Sequence, residues 1–256
     1  MNPVKRPLGP FSIVLPAALL GLALLSASAT AQTATKDKAD PGINERFERP
    51  GVDVKGFVQR FESDDREVYA RRNEIAKALD LKPGMAVADV GAGTGPFTRL
   101  FAEKVGEKGR VLAVDVSRDF LKHIANESRK LGQKQVETVL GSQDGTNLKP
   151  SSVDLVFICD VYHHFEEPEK MLASIHQALR PGGTFVLIEF DRVEGKSSDF
   201  VLEHVRASKE EFIREIEEAG FELDTSRADE DPKFKENFFA RFRRVDKPAT
   251  EGERDE

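Results

Sequence analysis

The residues of this sequence best suited to chemistry are acidic side chains that accompany short apolar runs. Asp89 lies inside one such run, Asp115 ends the next, and Asp160 follows the most apolar run of the folded part. A carboxylate at the end of a buried strand can accept hydrogen bonds from a ribose diol or an amino group. These acids therefore indicate a binding site for a nucleoside-like ligand.

A glycine-rich turn follows the run that contains Asp89. It consists of Gly91, Ala92, Gly93, Thr94 and Gly95. Glycine adopts positive φ readily and lets the backbone approach a ligand closely. Pro96, which comes next, suits the first position of a helix. A strand, a glycine turn and a helix N-terminus together predict a site for a nucleotide-like ligand.

The spacing of the glycines separates this turn from two familiar phosphate-binding loops. The dinucleotide fingerprint places its third glycine inside the helix, where this chain has Pro96. A Walker loop is excluded because no Gly-Lys-Ser or Gly-Lys-Thr closes the turn. A dehydrogenase is therefore a poorer interpretation than a protein that binds another nucleoside.

Two adjacent histidines lie just beyond Asp160. Tyr162, His163 and His164 follow the predicted central strand, whose carboxyl end faces the crevice where open α/β sheets bind ligands. Imidazole titrates near neutral pH, so either histidine is a candidate general base. The alternative is that one histidine packs beneath the end of the sheet and the other faces solvent.

Alternating strands and helices are predicted to position these residues. Strands are predicted at 86–90, 110–115, 136–140, 152–160, 184–190, 220–223 and 237–242, and helices at 64–81, 97–105, 118–131, 169–179 and 209–219. The alternation predicts a doubly wound α/β fold with a seven-stranded, mostly parallel sheet. Because no helix separates the last two strands, they are expected to form a C-terminal antiparallel hairpin.

Several of these segments together resemble the class I S-adenosylmethionine (SAM)-dependent methyltransferases, a Rossmann-like family. They are the glycine turn, Asp115, Asp144, the segment 160–165 and the Leu-Arg-Pro-Gly-Gly sequence at 179–183. The resemblance covers about residues 56–245. Within the family, the chain is similar to the broad group of small-molecule methyltransferases that includes the ubiquinone-biosynthesis enzymes. It implies SAM as the methyl donor. The implied cofactor contacts are Asp89, Gly91, Ala92, Gly93, Thr94, Gly95, Asp115, Val116, Gln143, Asp144, Asp160 and Tyr162.

The resemblance also implies a role for individual residues. The glycines approach the methionine portion of SAM, and Asp115 holds the ribose. Asp144, four residues before Leu148, holds the adenine amino group, which Gln143 could also contact through its amide. The alternative for this loop is an ordinary turn, since Asp, Gly and Asn are common in turns.

The function implied by the resemblance is methyl transfer from SAM to an unidentified small-molecule acceptor. His163 or His164 would serve as base if the acceptor is a hydroxyl or a protonated amine. No metal site is predicted. The alternative is an exported, non-catalytic binding module that retains the methyltransferase fold for a nucleoside-like ligand.

The first 31 residues have the pattern of a secretory signal peptide. Lys5 and Arg6 precede the apolar stretch 11–25, and the small residues 29–31 predict cleavage after Ala31. The protein is therefore expected to be exported, either periplasmic or secreted. The alternative is an uncleaved N-terminal membrane anchor, in which case membrane contact is made through the leader only.

The remaining organisation follows from composition and charge. A polar linker (32–53), the methyltransferase domain (54–245) and a charged, disordered tail (246–256) are predicted after the leader. The formal net charge is −7. A nucleic-acid partner is disfavoured because binding phosphates needs a basic face. The expected partner is a small molecule.

Overall fold

The computed structural model describes Met1 and residues 38–246. The predicted signal peptide, its cleavage site near Ala31 and the tail beyond Asp246 lie outside the described residues. Within the described part of the chain, no helix combines the length and the apolar character needed to cross a membrane.

Seven strands form one sheet in the order β3-β2-β1-β4-β5-β7-β6. The strands are β1 (Ala86–Val90), β2 (Arg110–Asp115), β3 (Val136–Leu140), β4 (Val153–Cys159), β5 (Leu179–Phe190), β6 (Phe221–Leu223) and β7 (Asn237–Arg244). Strands β1 to β5 pair in parallel, whereas β7 is antiparallel to both β5 and β6. The predicted mostly parallel sheet and its antiparallel closing strands are confirmed.

Helices pack on both faces of the sheet. They are α1 (Glu45–Glu48), α2 (Val54–Phe61), α3 (Glu67–Ala70), α4 (Arg72–Ala78), α5 (Pro96–Val105), α6 (Arg118–Lys130), α7 (Pro168–Ala178), α8 (Asp199–His204) and α9 (Lys209–Glu218), with a 3₁₀ turn at Tyr162–His164. Local sequence explains several starts: Pro96 is the first residue of α5, and the Ser117 hydroxyl caps α6 by accepting from the Phe120 N–H.

The centre of the sheet is covered on both sides, which explains its continuous apolar sequence. In β1, Ala88 and Val90 belong to the core formed with α7 and α9. Val87 points to the opposite core, formed with α4 and α5. Because side chains alternate along a strand, Asp89 faces the same side as Val87 and lies beneath α5.

Two predicted elements differ from the structure by more than two residues at a boundary. The predicted helix 64–81 is divided into α3 and α4 at Arg71, whose backbone leaves helical geometry (φ −98°, ψ 14°). The Arg71 guanidinium bonds the Glu74 carboxylate and the Lys233 carbonyl, so a contact distant in sequence accompanies the break. Strand β5 begins before the predicted residue 184, because Leu179 already pairs with Val153.

The described part of the predicted linker, residues 38–53, packs against the domain. Ala39 is buried and donates its N–H to the Phe165 carbonyl. The Gly51 N–H donates to the Asp119 carboxylate at 2.8 Å. This segment therefore contacts the domain through a few residues. Its mostly polar sequence gives no sign of these contacts. We call residues 38–53 the N-terminal segment.

Candidate functional site

Two cavities lie at the carboxyl ends of β1 and β4 and meet at the glycine turn. The smaller cavity has a volume of about 130 Å³ and the larger one of about 600 Å³. Both are lined by Phe47, Phe61, Gly91, Gly93, Asp160, Val161 and His164. The structure thus brings most of the predicted site residues to one cleft with two compartments.

The glycine turn is fixed by positive φ angles and by close neighbours. Gly91 has φ +72°, and a Cβ there would lie 2.5–2.9 Å from side-chain atoms of Val161. Gly95 has φ +79°, and a Cβ there would lie 2.7 Å from Ile124 on α6. Gly91 therefore permits the close approach of β1 to the end of β4. Gly95 permits the packing of the turn on α6, and it lines neither cavity.

Asp115 holds the glycine turn in place from the end of β2. Its carboxylate accepts from the Gly93 N–H and from the Ser117 N–H, each at 2.8 Å. Burial raises the pKa of Asp115 to about 6. Asp115 and Val116 line the smaller cavity, so the predicted ribose contact lies where a ribose would be accessible.

Asp89, on β1 just before the glycine turn, joins the strand to α5. Its buried carboxylate accepts a 2.5 Å hydrogen bond from the Thr98 hydroxyl of α5. Burial is the main reason that the pKa of Asp89 is raised, to about 7. Asp89 and Ala92 line the larger cavity, so the sequence-predicted contacts divide between the two compartments.

Asp160 lies between the two cavities in an uncommon backbone conformation. It has φ +54°, in the left-handed region that non-glycine residues rarely adopt. Its carboxylate accepts from the Arg66 guanidinium at 2.7 Å and from the Asn237 amide at 2.6 Å. Sequence reasoning missed both partners, because each reaches the site from a distant element. Strain of this kind often accompanies functional sites.

Aromatic side chains of the N-terminal segment, α2 and α6 form one wall of the smaller cavity. Phe57 and Phe120 each lie beside the other and beside both Phe47 and Phe61, with ring centroids 5.1–6.3 Å apart. Phe47, Phe61 and Phe120 line the smaller cavity. The i, i+4 spacing of Phe57 and Phe61 was the available signal, since such residues share one face of a helix.

The loop after β3 contributes Gln143 rather than Asp144. Gln143 lines the smaller cavity, and its side-chain oxygen accepts from the Asn44 amide at 2.9 Å. Asp144 is exposed, accepts from the Ser142 hydroxyl at 2.7 Å and lines neither cavity. Asp144 thus has the local contact of an ordinary turn, and of these two residues only Gln143 lines a cavity.

Tyr162 and Thr94 belong to the interior rather than to the cavity walls. The Tyr162 ring is buried beside Phe212, and its hydroxyl donates to Glu215 at 2.8 Å. Tyr162 thus anchors the 3₁₀ turn to α9. The Thr94 side chain is also fully buried. The resemblance implies Tyr162 as a cofactor contact, but the turn directs its side chain into the core and it lines neither cavity.

The two predicted candidate bases lie in different environments. His163 is buried, and its Nδ1 lies 2.9 Å from Glu189 Oε1. His164 is half-buried, and burial together with the charges of neighbouring His163 and His204 lowers its pKa to about 2. His164 is consequently a weak base. All three histidines line the larger cavity, with ring centroids 4.4–5.1 Å apart.

Comparisons with known proteins agree on one family. A family model described as a methyltransferase domain matches residues 81–237. The ubiquinone/menaquinone biosynthesis C-methyltransferase of Escherichia fergusonii is 30% identical over 113 residues, covering 44% of this chain and 45% of that protein. The crystal structure of a SAM-dependent methyltransferase from Aquifex aeolicus has a TM-score of 0.61 at 25% identity, covering 76% of this chain and 100% of that chain.

The coverage and the sequence identity of these matches limit what can be inferred from them. The chain spans 41–49% of the length of the first curated relatives that it matches. The crystal structure of the [4+2]-cyclase SpnF also has a TM-score of 0.55, at 18% identity, covering 69% of this chain and 81% of that chain. A likeness at that identity concerns the fold alone.

Proposed function

Because the chain belongs to the methyltransferase-domain family, we propose that it transfers the methyl group of SAM to a small-molecule acceptor. The methyl donor is SAM. The observation that carries the proposal is the pair of cavities that meet at the glycine turn. The smaller compartment suits the adenosyl end of the donor. The larger one suits the methionine portion and an acceptor, so the two molecules would meet beside Gly91 and Asp160.

Several side chains of the smaller cavity suit an adenosyl group. Asp115 offers carboxylate oxygens to the ribose hydroxyls, and the Gln143 amide lies at the same wall. The rings of Phe47 and Phe120 supply apolar faces on which an adenine could pack. Asp89 lies across the glycine turn in the larger cavity, where it suits the amino group of the methionine portion.

Alignment is the main task left to the protein. When bound, SAM supplies a methyl group that is already activated on a sulfonium sulfur. The protein contributes by holding an acceptor at near-attack distance and by excluding water. Asp160 is rigidly placed for this role, because Arg66 and Asn237 hold its carboxylate from two sides.

The larger cavity indicates the general character of the acceptor. Its volume of about 600 Å³ suits a small molecule. Phe190 and Phe200 form an apolar part of its wall, whereas Arg66 and His163 form a polar part. We propose an acceptor with an apolar body and a polar end that carries the methylated atom.

Calorimetric titration of the purified protein tests the proposed function. We expect SAM and S-adenosylhomocysteine to bind at micromolar concentration and NAD not to bind. In Asp115→Ala the dissociation constant of SAM should rise roughly 10- to 150-fold, which corresponds to about 1.5–3 kcal/mol for a hydrogen bond to a charged group. Asp144→Ala is the matched control, and its affinity should be unchanged because Asp144 lines neither cavity.

One result of this titration would contradict the proposed function, and another would contradict only the role of Asp115. If neither sulfur ligand binds the wild-type protein, the alternative of a non-catalytic binding module replaces methyl transfer. If both bind but Asp115→Ala matches the wild-type affinity, the family assignment stands and Asp115 is removed from the site. The predicted leader favours this alternative, because it would export the protein from the cytosol, where SAM is made.

We also propose that the protein is exported, on the basis of the pattern in its first 31 residues. The measurement is mass spectrometry of the native protein isolated from its source. A mature N-terminus at Gln32 is the expected result. An N-terminus at Met1 would show that no leader is removed and would favour the membrane anchor.

A further inference from the structure

Three of the five histidines of the chain converge on the wall of the larger cavity. His163 and His164 lie on the 3₁₀ turn after β4, and His204 is the last residue of α8. One ring nitrogen from each lies within 4.8 Å of the other two. We propose that these three imidazoles bind one divalent transition-metal ion of the zinc type.

The orientation of His163 supports metal binding. Its Nδ1 is bonded to Glu189, which leaves Nε2 as the atom available to a metal. Glu189 is fully buried and accepts from the N–H groups of His163 and Phe190, so its position is fixed. A carboxylate that holds the second nitrogen of a ligating histidine is a regular feature of metal sites, because it orients the ring and raises its basicity.

His164 contributes a nitrogen that lacks a partner within the described part of the chain. Its Nδ1 is buried and neither accepts nor donates a hydrogen bond within the described residues. An unsatisfied buried polar atom carries a cost, and a metal ion at this place would remove it. This observation is independent of the convergence of the three rings.

His204 supplies the third nitrogen from a separate element. Zinc–nitrogen distances of about 2.0–2.1 Å in a tetrahedral site require ligand nitrogens roughly 3.3 Å apart. Nitrogens within 4.8 Å of one another therefore need to approach by at most about 1.5 Å. Rotation of the half-buried His204 ring, which stacks on exposed Phe200, can supply much of this movement. Glu189 provides negative charge behind the site, whereas Arg46 on the same cavity wall opposes a cation.

A metal held by three histidines keeps a fourth position for a water molecule or a substrate. That position would face the larger cavity, where an oxygen or sulfur of a ligand could occupy it. The inference goes beyond the proposed function and does not depend on it. Metal binding is measurable in the absence of SAM, and SAM binding is measurable in the absence of metal.

Cobalt titration of the metal-free protein, purified without a histidine tag, tests the proposal. We expect one equivalent of Co²⁺ to produce the visible absorption of a four-coordinate site, and Zn²⁺ to abolish it. His164→Ala and His204→Ala should each weaken Co²⁺ binding at least tenfold, and Glu189→Gln roughly 10- to 100-fold. His123→Ala is the matched control, because His123 lies on α6 outside the cluster, and its binding should equal that of the wild type.

The same titrations define what would overturn the proposal. Absence of the visible absorption at one equivalent of Co²⁺ would do so. Binding that is equal in the wild type and in both histidine variants would also do so, because the metal would then be held elsewhere. Circular dichroism of the variants and a SAM titration in the same samples separate loss of metal from loss of the fold or of the donor site.

Discussion

Gly91→Ala is expected to lower the free energy of unfolding by about 2–5 kcal/mol. A non-glycine residue in the left-handed region costs about 1–2 kcal/mol, and Gly91 has φ +72°. Overpacking adds about 1–3 kcal/mol, because the new Cβ would lie 2.5–2.9 Å from Val161 side-chain atoms. Since Val161 and Gly91 line both cavities, SAM affinity should fall as well.

Urea denaturation of matched variants separates the two contributions. Gly132 has φ +70°, and a Cβ there would meet no atom of the described residues within 4 Å, so Gly132→Ala should show the backbone cost alone. Adding Val161→Ala to Gly91→Ala should recover part of the loss, as expected for residues in contact. Equal losses in Gly91→Ala and Gly132→Ala would contradict the proposed contact with Val161.

Asp89→Asn is expected to remove a large pH dependence of stability. The pKa of Asp89 is about 7 in the folded protein and 3.8 is its ordinary value. The folded state therefore holds the proton more tightly, and the free energy of unfolding falls as pH rises from about 4 to about 7. The difference between the two pKa values corresponds to about 4 kcal/mol. Asn cannot ionise, so the variant should lack this fall.

The measurement is the free energy of unfolding of both proteins between about pH 4 and about pH 8. The free energy of unfolding of the wild type minus that of Asp89→Asn should be largest at the acidic end. This difference should fall as the pH rises to about 7. Asp119→Asn is the control, because backbone hydrogen bonds lower the pKa of Asp119 and confine its titration to more acidic conditions. A constant difference between wild type and Asp89→Asn would contradict the raised pKa.

The fold could be predicted because its signals are local. Apolar runs, the glycine turn and helix-capping residues such as Ser117 and Ser208 each specify their own element. Their order in the chain then limits the topology of the sheet. Where a tertiary contact decides the structure, as at Arg71, the local pattern predicted one helix and the chain forms two.

The site could be predicted only in part, for the same physical reason. Asp89, Asp115 and Asp160 were found because they accompany strands that end at the cleft. The ion pair of Asp160 with Arg66 joins residues 94 positions apart, and no local pattern marks it. For Asp144 and Tyr162 a local motif is present, but their side chains do not line either cavity. A position in a motif does not fix the direction of a side chain. The predicted roles of the individual site residues stay predictions until the titrations are made.

The bond between Asn237 and Asp160 has a consequence for the order in which the protein is completed. Asn237 opens the last strand of the sheet, whereas the glycine turn and all the motif acids lie within the preceding residues. During synthesis the ribosome therefore releases every recognisable motif before the residue that completes the cleft. A chain interrupted before position 237 would contain the full sequence signature of the family and still lack a finished site.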